Sequence, residues 1–138
     1  MAETNLSEEE EELKAQKKER LNELDGKTWE KYSISIWDIV KTGDEAKLKH
    51  PAMFPTELCR RLIEIYSKKG DVVLDPFMGS GSTVIAARDL RRKGIGLDIN
   101  PDFVKLAKKR LSQQKLFGDD FLEPEIHAHD ATDLLSVV

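Results

Sequence analysis

Asp75-Pro76-Phe77-Met78-Gly79-Ser80-Gly81-Ser82-Thr83 follows the apolar run Val72-Val73-Leu74 and opens a helical pattern. An apolar strand, a glycine turn and a helix in that order describe a cofactor loop at the end of a buried strand. The two close glycines let the backbone turn sharply and approach a ligand with no Cβ in the way, and Ser82 or Thr83 is suited to cap the helix that follows. What the loop lacks narrows the ligand. A phosphate-gripping G-x-x-x-x-G-K-[ST] loop needs a lysine, and none follows Gly81, so ATP or GTP would go without its main charge partner. A dinucleotide fingerprint wants glycine or alanine at position 84, where this chain has Val84, and would set Asp75 beside a pyrophosphate. An NAD-binding fragment would have to tolerate both features. S-adenosylmethionine carries no phosphate and has a cationic ammonium and sulfonium, so the Asp75 carboxylate favours it electrostatically.

Outward from the loop, Lys93-Gly94-Ile95-Gly96-Leu97-Asp98 reads as a second strand ending in a carboxylate seventeen residues after Gly81. That is about where an acidic side chain accepts hydrogen bonds from a ribose diol in doubly wound folds. Ile99 follows, where an apolar side chain covers an adenine face. A third strand, Glu125-Ile126-His127-Ala128-His129-Asp130, ends in an acceptor for the adenine amino group. Strands near 71–75, 94–98 and 125–129, joined by right-handed helical crossovers, predict an α/β fold with a partial parallel sheet of about three strands and a crevice at its carboxyl edge. Helical spacing predicts a helix over 55–68 that buries Leu58, Leu62, Ile65 and Tyr66, with Cys59 a buried structural thiol. It predicts further helices over 82–92 (Val84, Ala87 and Leu90 inward) and 101–114 (Val104, Ala107 and Leu111 inward), and a loop at 118–120.

With His50-Pro51-Ala52-Met53-Phe54-Pro55 added, these motifs resemble the cofactor-binding half of DNA amino-methyltransferases, which methylate adenine N6 or cytosine N4. The similarity covers about 33–133 and includes Ser35-Ile36-Trp37-Asp38-Ile39. It implies a Rossmann-like, S-adenosylmethionine-dependent methyltransferase fold and a setting of DNA methylation and restriction–modification. By the same resemblance Ala52 and Phe54 help hold the methionine portion of the cofactor. Asp75, Phe77, Gly79, Ser80 and Gly81, with the adjoining Ser82, surround its amino-acid end. Asp98 takes the ribose beside Ile99, and Asp130 with Ala131 takes the adenine.

The family's catalytic tetrapeptide is Asp, Asn or Ser, then Pro-Pro, then an aromatic, whereas the prolines here, at 51, 55, 76, 101 and 124, are never adjacent. In the family that motif positions the target amino group and stacks on a base flipped from the duplex. No residue of this chain takes that job, so no catalytic residue is assigned. The expectation is half of an enzyme, truncated or made as a separate subunit, with catalysis and target recognition on a complementary segment or chain. The first strand is central in the family's full sheet. One of its edges would be open here, which predicts pairing with that complement or a homodimer. The alternative is a non-catalytic module that binds an adenosine cofactor to regulate or stabilise a partner.

Composition agrees with a half-enzyme. The 138 residues allow one domain, read as a charged leader over 1–25, helical or disordered, and a cofactor-binding part over 26–138. The leader holds nine acids and four bases, a net of −5 that leaves +1 for the remainder of a chain at −4. A near-neutral body lacks the basic footprint that phosphate neutralisation demands, so DNA recognition is expected on the complement. The single Cys59 excludes an internal disulfide, and no apolar run is long enough to cross a membrane. A reducing cytoplasm is the expected compartment. His127 and His129 share a strand face near Asp130, but without a second cysteine or a well-spaced third ligand no metal is expected. Trp29, Tyr32 and Trp37 are expected to pack against the body and not to stack on bases.

Overall fold

Short apolar runs punctuated by glycine form one parallel sheet of β1 (Val72–Asp75), β2 (Lys93–Asp98) and β3 (Glu125–Ala128), in that spatial order. The structure, a computed structural model, describes residues 20–48, 53–113 and 121–137. Leu74 lies opposite Ile95, and Leu97 opposite His127. Helices α1 (Gly26–Tyr32) and α2 (Gly43–Ala46) precede α3 (Thr56–Tyr66), which leads into β1. Helix α4 (Ser82–Asp89) connects β1 to β2, α5 (Pro101–Gln113) follows β2, and a 3₁₀ helix (Ala131–Ser136) follows β3. The α/β architecture and the three parallel strands agree with the sequence reading. Residues 1–19 of the leader expected over 1–25, and the expected loop at 118–120, lie outside the described residues.

The core is built around α4. Val84, Ile85, Ala86 and Ala87 are all fully buried, because this helix packs on β1 and β2 and against α3, and meets α5 through Val84. Ala86 and Ala87 meet Cys59 and Ile63 of α3, with Val73 and Leu90 against them. Val84 meets Met78, Val104 and Ala107, with Leu111 and Ile126 alongside. Burial of a side chain such as Ile85 contributes about 2 kcal/mol. Small residues allow the close approach: a Cβ on Gly94 would come within 3.2 Å of the Val84 backbone. The helix stops at Asp89, three residues short of its expected end, because Arg91 takes a left-handed φ of 62° and turns the chain back toward β2.

Helix α3 corrects the expected buried face. Ile65 is buried and Leu58 half-buried, but Leu62 and Tyr66 are 42% and 64% exposed, and the inward positions are Cys59 and Ile63. The helix is apolar over a stripe wider than its contact with α4, and the surplus side faces an open cavity. The aromatic expectation holds in part. The Arg61 guanidinium lies 5.1 Å from the Tyr32 ring centroid and 5.7 Å from that of Trp37, and Tyr32 Oη donates to Glu64, which fastens the α1 region to α3. Trp29, by contrast, remains about half exposed. No helix among the described residues is long and apolar enough to cross a membrane.

Candidate cofactor site at the carboxyl edge of the sheet

The chain leaves β1 at Asp75 into a turn fixed by that residue's own side chain, whose Oδ1 accepts from the Phe77 amide at 3.0 Å. Met78 N then donates to the Leu97 carbonyl at 2.9 Å, which lashes the loop to β2 and buries the Met78 side chain. Gly79 and Gly81 both take left-handed φ, 52° and 83°. A Cβ on Gly81 would come within 2.7 Å of the Ala107 Cβ, so both backbone sign and space require glycine there. Gly81 itself is the N-cap of α4, with no side-chain hydrogen bond to the first turn. Ser82 and Thr83 therefore do not cap the helix as expected. The Ser82 hydroxyl accepts instead from Arg110, and Thr83 Oγ1 lies 3.7 Å from Cys59 Sγ.

Asp98 closes the loop from the other side. Its Oδ2 accepts from the Gly79 amide at 2.9 Å and its Oδ1 from the Asn100 amide at 2.8 Å. Two carboxylate oxygens offer about four acceptor positions, so these bonds leave capacity for further donors. Phe54, Asp75, Phe77, Gly79, Ser80 and Ser82 all line one cavity of about 740 Å³, whose apolar remainder runs along β1 and α3 past Leu62, Tyr66 and Val72. Of the other expected residues, Gly81 is buried within the loop, and Asp98 does not line the cavity but accepts from Gly79, which does. Exposed Ile99, Asp130 and half-buried Ala131 stand along the same sheet edge outside that cavity. Asp130 caps the 3₁₀ helix, with Oδ1 accepting from the Thr132 amide and hydroxyl. Those bonds hold its carboxyl below the ordinary range. Ala52 lies outside the described residues.

His129 Nε2 bonds locally, to the Asp133 carbonyl at 3.2 Å and to the Ser136 hydroxyl at 3.0 Å. Among the described residues no three His, Cys, Asp or Glu side chains are grouped to hold a metal ion.

Behind the loop lies a buried polar hub that the sequence reading did not single out. Arg110 of α5 donates through Nη1 to the Ser80 carbonyl at 2.8 Å, the Ser80 hydroxyl at 3.2 Å and the Ser82 hydroxyl at 3.1 Å. Its Nη2 donates to Thr56 Oγ1 and lies 3.8 Å from Glu45 Oε1. Glu45, also buried, accepts from the Thr56 amide and hydroxyl and from the Thr42 amide. Burial opposes ionisation of Glu45, but the hydrogen bonds from Thr56 and Thr42 outweigh it and hold its carboxyl below the ordinary value. A carboxylate with a depressed folded pKa stabilises fully above the unfolded value, about 4.3 for Glu, and loses that contribution as pH falls through the folded value. Glu45→Gln is expected to cost about 1–2 kcal/mol at neutral pH and to flatten the acid limb of the stability profile, read by urea unfolding between pH 3 and 7. An unchanged acid limb would show that Glu45 is not the linked group.

Three comparisons bear on this arrangement. Residues 2–109 match the family model described as DNA methylase. The chain belongs to the DNA methylase family. Among curated relatives, the type II methyltransferase M.MjaI of Methanocaldococcus jannaschii is 41% identical over 99 residues, covering 67% of this chain and 31% of that protein. The type II methyltransferase M.MthZI of Methanothermobacter thermautotrophicus is 31% identical over 126 residues, covering 85% of this chain and 35% of its own length. A crystal structure of a Thermus thermophilus protein, described as a putative DNA modification methylase complexed with S-adenosyl-L-methionine, superposes with a TM-score of 0.57 at 33% identity. That match covers 77% of this chain and 40% of the other. This chain of the DNA methylase family thus spans about a third of the length of the curated relatives it matches.

Proposed function

We propose that this chain is the S-adenosylmethionine-binding part of a DNA methyltransferase. The observation that carries the reading is the glycine loop held between Asp75 and Asp98 at the mouth of a cavity. The donor set suits this ligand. Two carboxylates flank the loop, while the one arginine that contacts it through Ser80 and Ser82 is buried behind it, so the mouth favours a cationic, phosphate-free group over a nucleotide phosphate. When bound, S-adenosylmethionine supplies an activated methyl group for transfer to an exocyclic amino nitrogen of adenine or cytosine in DNA.

In this reading Ala52 and Phe54 help hold the methionine portion, and Asp75, Phe77, Gly79, Ser80, Gly81 and Ser82 take the amino-acid end. Asp98 accepts from the ribose, with Ile99, Asp130 and Ala131 toward the adenine. The Pro-Pro-aromatic motif and target recognition belong to a complementary segment or chain. Two features support such a complement: β1 is an edge strand among the described residues, and the cavity wall beside it exposes Leu62, Tyr66, Val72 and Phe77. An apolar edge strand recruits another strand.

The deciding test is calorimetric titration with S-adenosylmethionine, with NAD and ATP as controls. Saturable binding of S-adenosylmethionine alone is expected, and tighter binding of NAD or ATP would overturn the reading. Co-expression with a segment bearing the Pro-Pro-aromatic motif is then expected to give a stable heterodimer in sedimentation and methyl transfer to DNA. A heterodimer that binds the cofactor and never methylates DNA would favour a regulatory binding module.

A further inference from the structure

We infer that Arg110, anchored by Glu45, is a positioning residue that sets the glycine loop against the Phe54 wall of the cofactor cleft. The inference rests on the cofactor reading above and goes on to assign a buried pair that no motif of the loop contains. Ser80 stands between the two left-handed glycines, Gly79 and Gly81, the most pliable backbone of the loop. Asp98 restrains the Gly79 amide from the β2 side. From the α5 side, one arm of Arg110 grips the Ser80 carbonyl and hydroxyl together with the Ser82 hydroxyl.

The second arm of the same guanidinium reaches Thr56, and Glu45 holds Thr56 through both its amide and its hydroxyl. Thr56 lies two residues after Phe54, which lines the same cavity as the loop. Arg110 therefore fixes the distance between the Phe54 wall and the Ser80 wall, the part of the cleft that takes the amino-acid end of the cofactor. Both charged partners are more than nine-tenths buried, so water does not substitute for the lost bonds when either is removed. A lysine keeps the charge of Arg110 but not its planar fork, and cannot span Ser80 and Thr56 at once.

The test compares two ligands that differ at that end. S-adenosylmethionine carries the amino-acid moiety, whereas 5′-methylthioadenosine keeps the adenosine and lacks it. With the full chain, Arg110→Lys is expected to weaken S-adenosylmethionine binding by about tenfold and to change 5′-methylthioadenosine affinity by less than about twofold. Glu45→Gln, the milder change, is expected to shift the same ratio in the same direction. Loss of both affinities in equal proportion, or of neither, would overturn the inference, since a purely structural role weakens both together. Absence of any S-adenosylmethionine binding by the unsubstituted chain would instead overturn the cofactor reading. Amide hydrogen exchange remains decisive in that event. Arg110→Lys is expected to accelerate exchange over 78–82 selectively, and uniform acceleration across β2 and α5 would refute the positioning role.

Discussion

Gly81→Val is expected to give a chain that either fails to fold or folds with the glycine loop displaced. The native φ of 83° is open to glycine and strained for any β-branched residue, and the new side chain would project into Ala107, whose Cβ lies 2.7 Å from the first added atom. Left-handed strain costs about 1–3 kcal/mol and overpacking against α5 about as much again, so a loss of about 2–6 kcal/mol is expected. A small domain holds only about 5–15 kcal/mol in total. Gly81→Ala grades the effect, since it meets the same contact with less volume. Urea unfolding of the two variants measures both losses. A valine variant as stable as the parent would mean that α5 yields at Ala107 and that the packing described between the loop and α5 is not tight.

Asp98→Ala is expected to lower S-adenosylmethionine affinity by about 100-fold, because in the proposed binding mode a charged acceptor and its hydrogen bonds to the ribose are lost together. The same change releases the Gly79 and Asn100 amides, which Asp98 now satisfies. Asp98→Asn keeps one acceptor oxygen where the carboxylate uses both, so it can satisfy only one of the Gly79 and Asn100 amides and is expected to fall between the parent and Asp98→Ala in cofactor affinity. Because the ribose is common to both ligands, Asp98→Ala should weaken 5′-methylthioadenosine as severely as S-adenosylmethionine. Calorimetry with the two ligands therefore maps the cleft from end to end. Retained affinity in Asp98→Ala would remove the ribose assignment.

The fold and the candidate site are legible in the sequence to different depths. β1 and β2 are legible because parallel strands read as near-continuous apolar runs, but only β2 is buried: β1, expected to be a buried strand, is an edge strand among the described residues and leaves Val72 and Leu74 exposed. The buried face of α3 was misjudged because periodicity marks an apolar stripe without saying which neighbour covers each part of it. Leu62 and Tyr66 belong to the stripe, yet they face the cavity and not α4. The cap of α4 is not legible, because the chain turns at Gly81, whose left-handed φ makes it the N-cap and leaves Ser82 and Thr83 as the first two residues of the helix. Arg110 itself sits in the run Lys108-Lys109-Arg110, which reads as a solvated helix face, and only the fold turns its third member inward. Thr42-Gly43-Asp44-Glu45 carries a visible capping-box pattern, and the box is formed. Nothing local reveals that its glutamate also faces an arginine.

Cys59 offers a different kind of access to the molecule. It is the sole thiol, it is buried between α3 and α4 at the back of the cavity, and burial pushes its ionisation up, so in the closed structure it is a poor nucleophile. Reaction with a thiol reagent then requires a fluctuation that widens access to Sγ from the cavity or between α3 and α4, and its rate at low reagent reports the free energy of that opening without any added label. A ligand or partner that braces the cleft would slow the same clock in proportion to its occupancy, so one residue outside the expected cofactor contacts makes the tightness of the site readable in time.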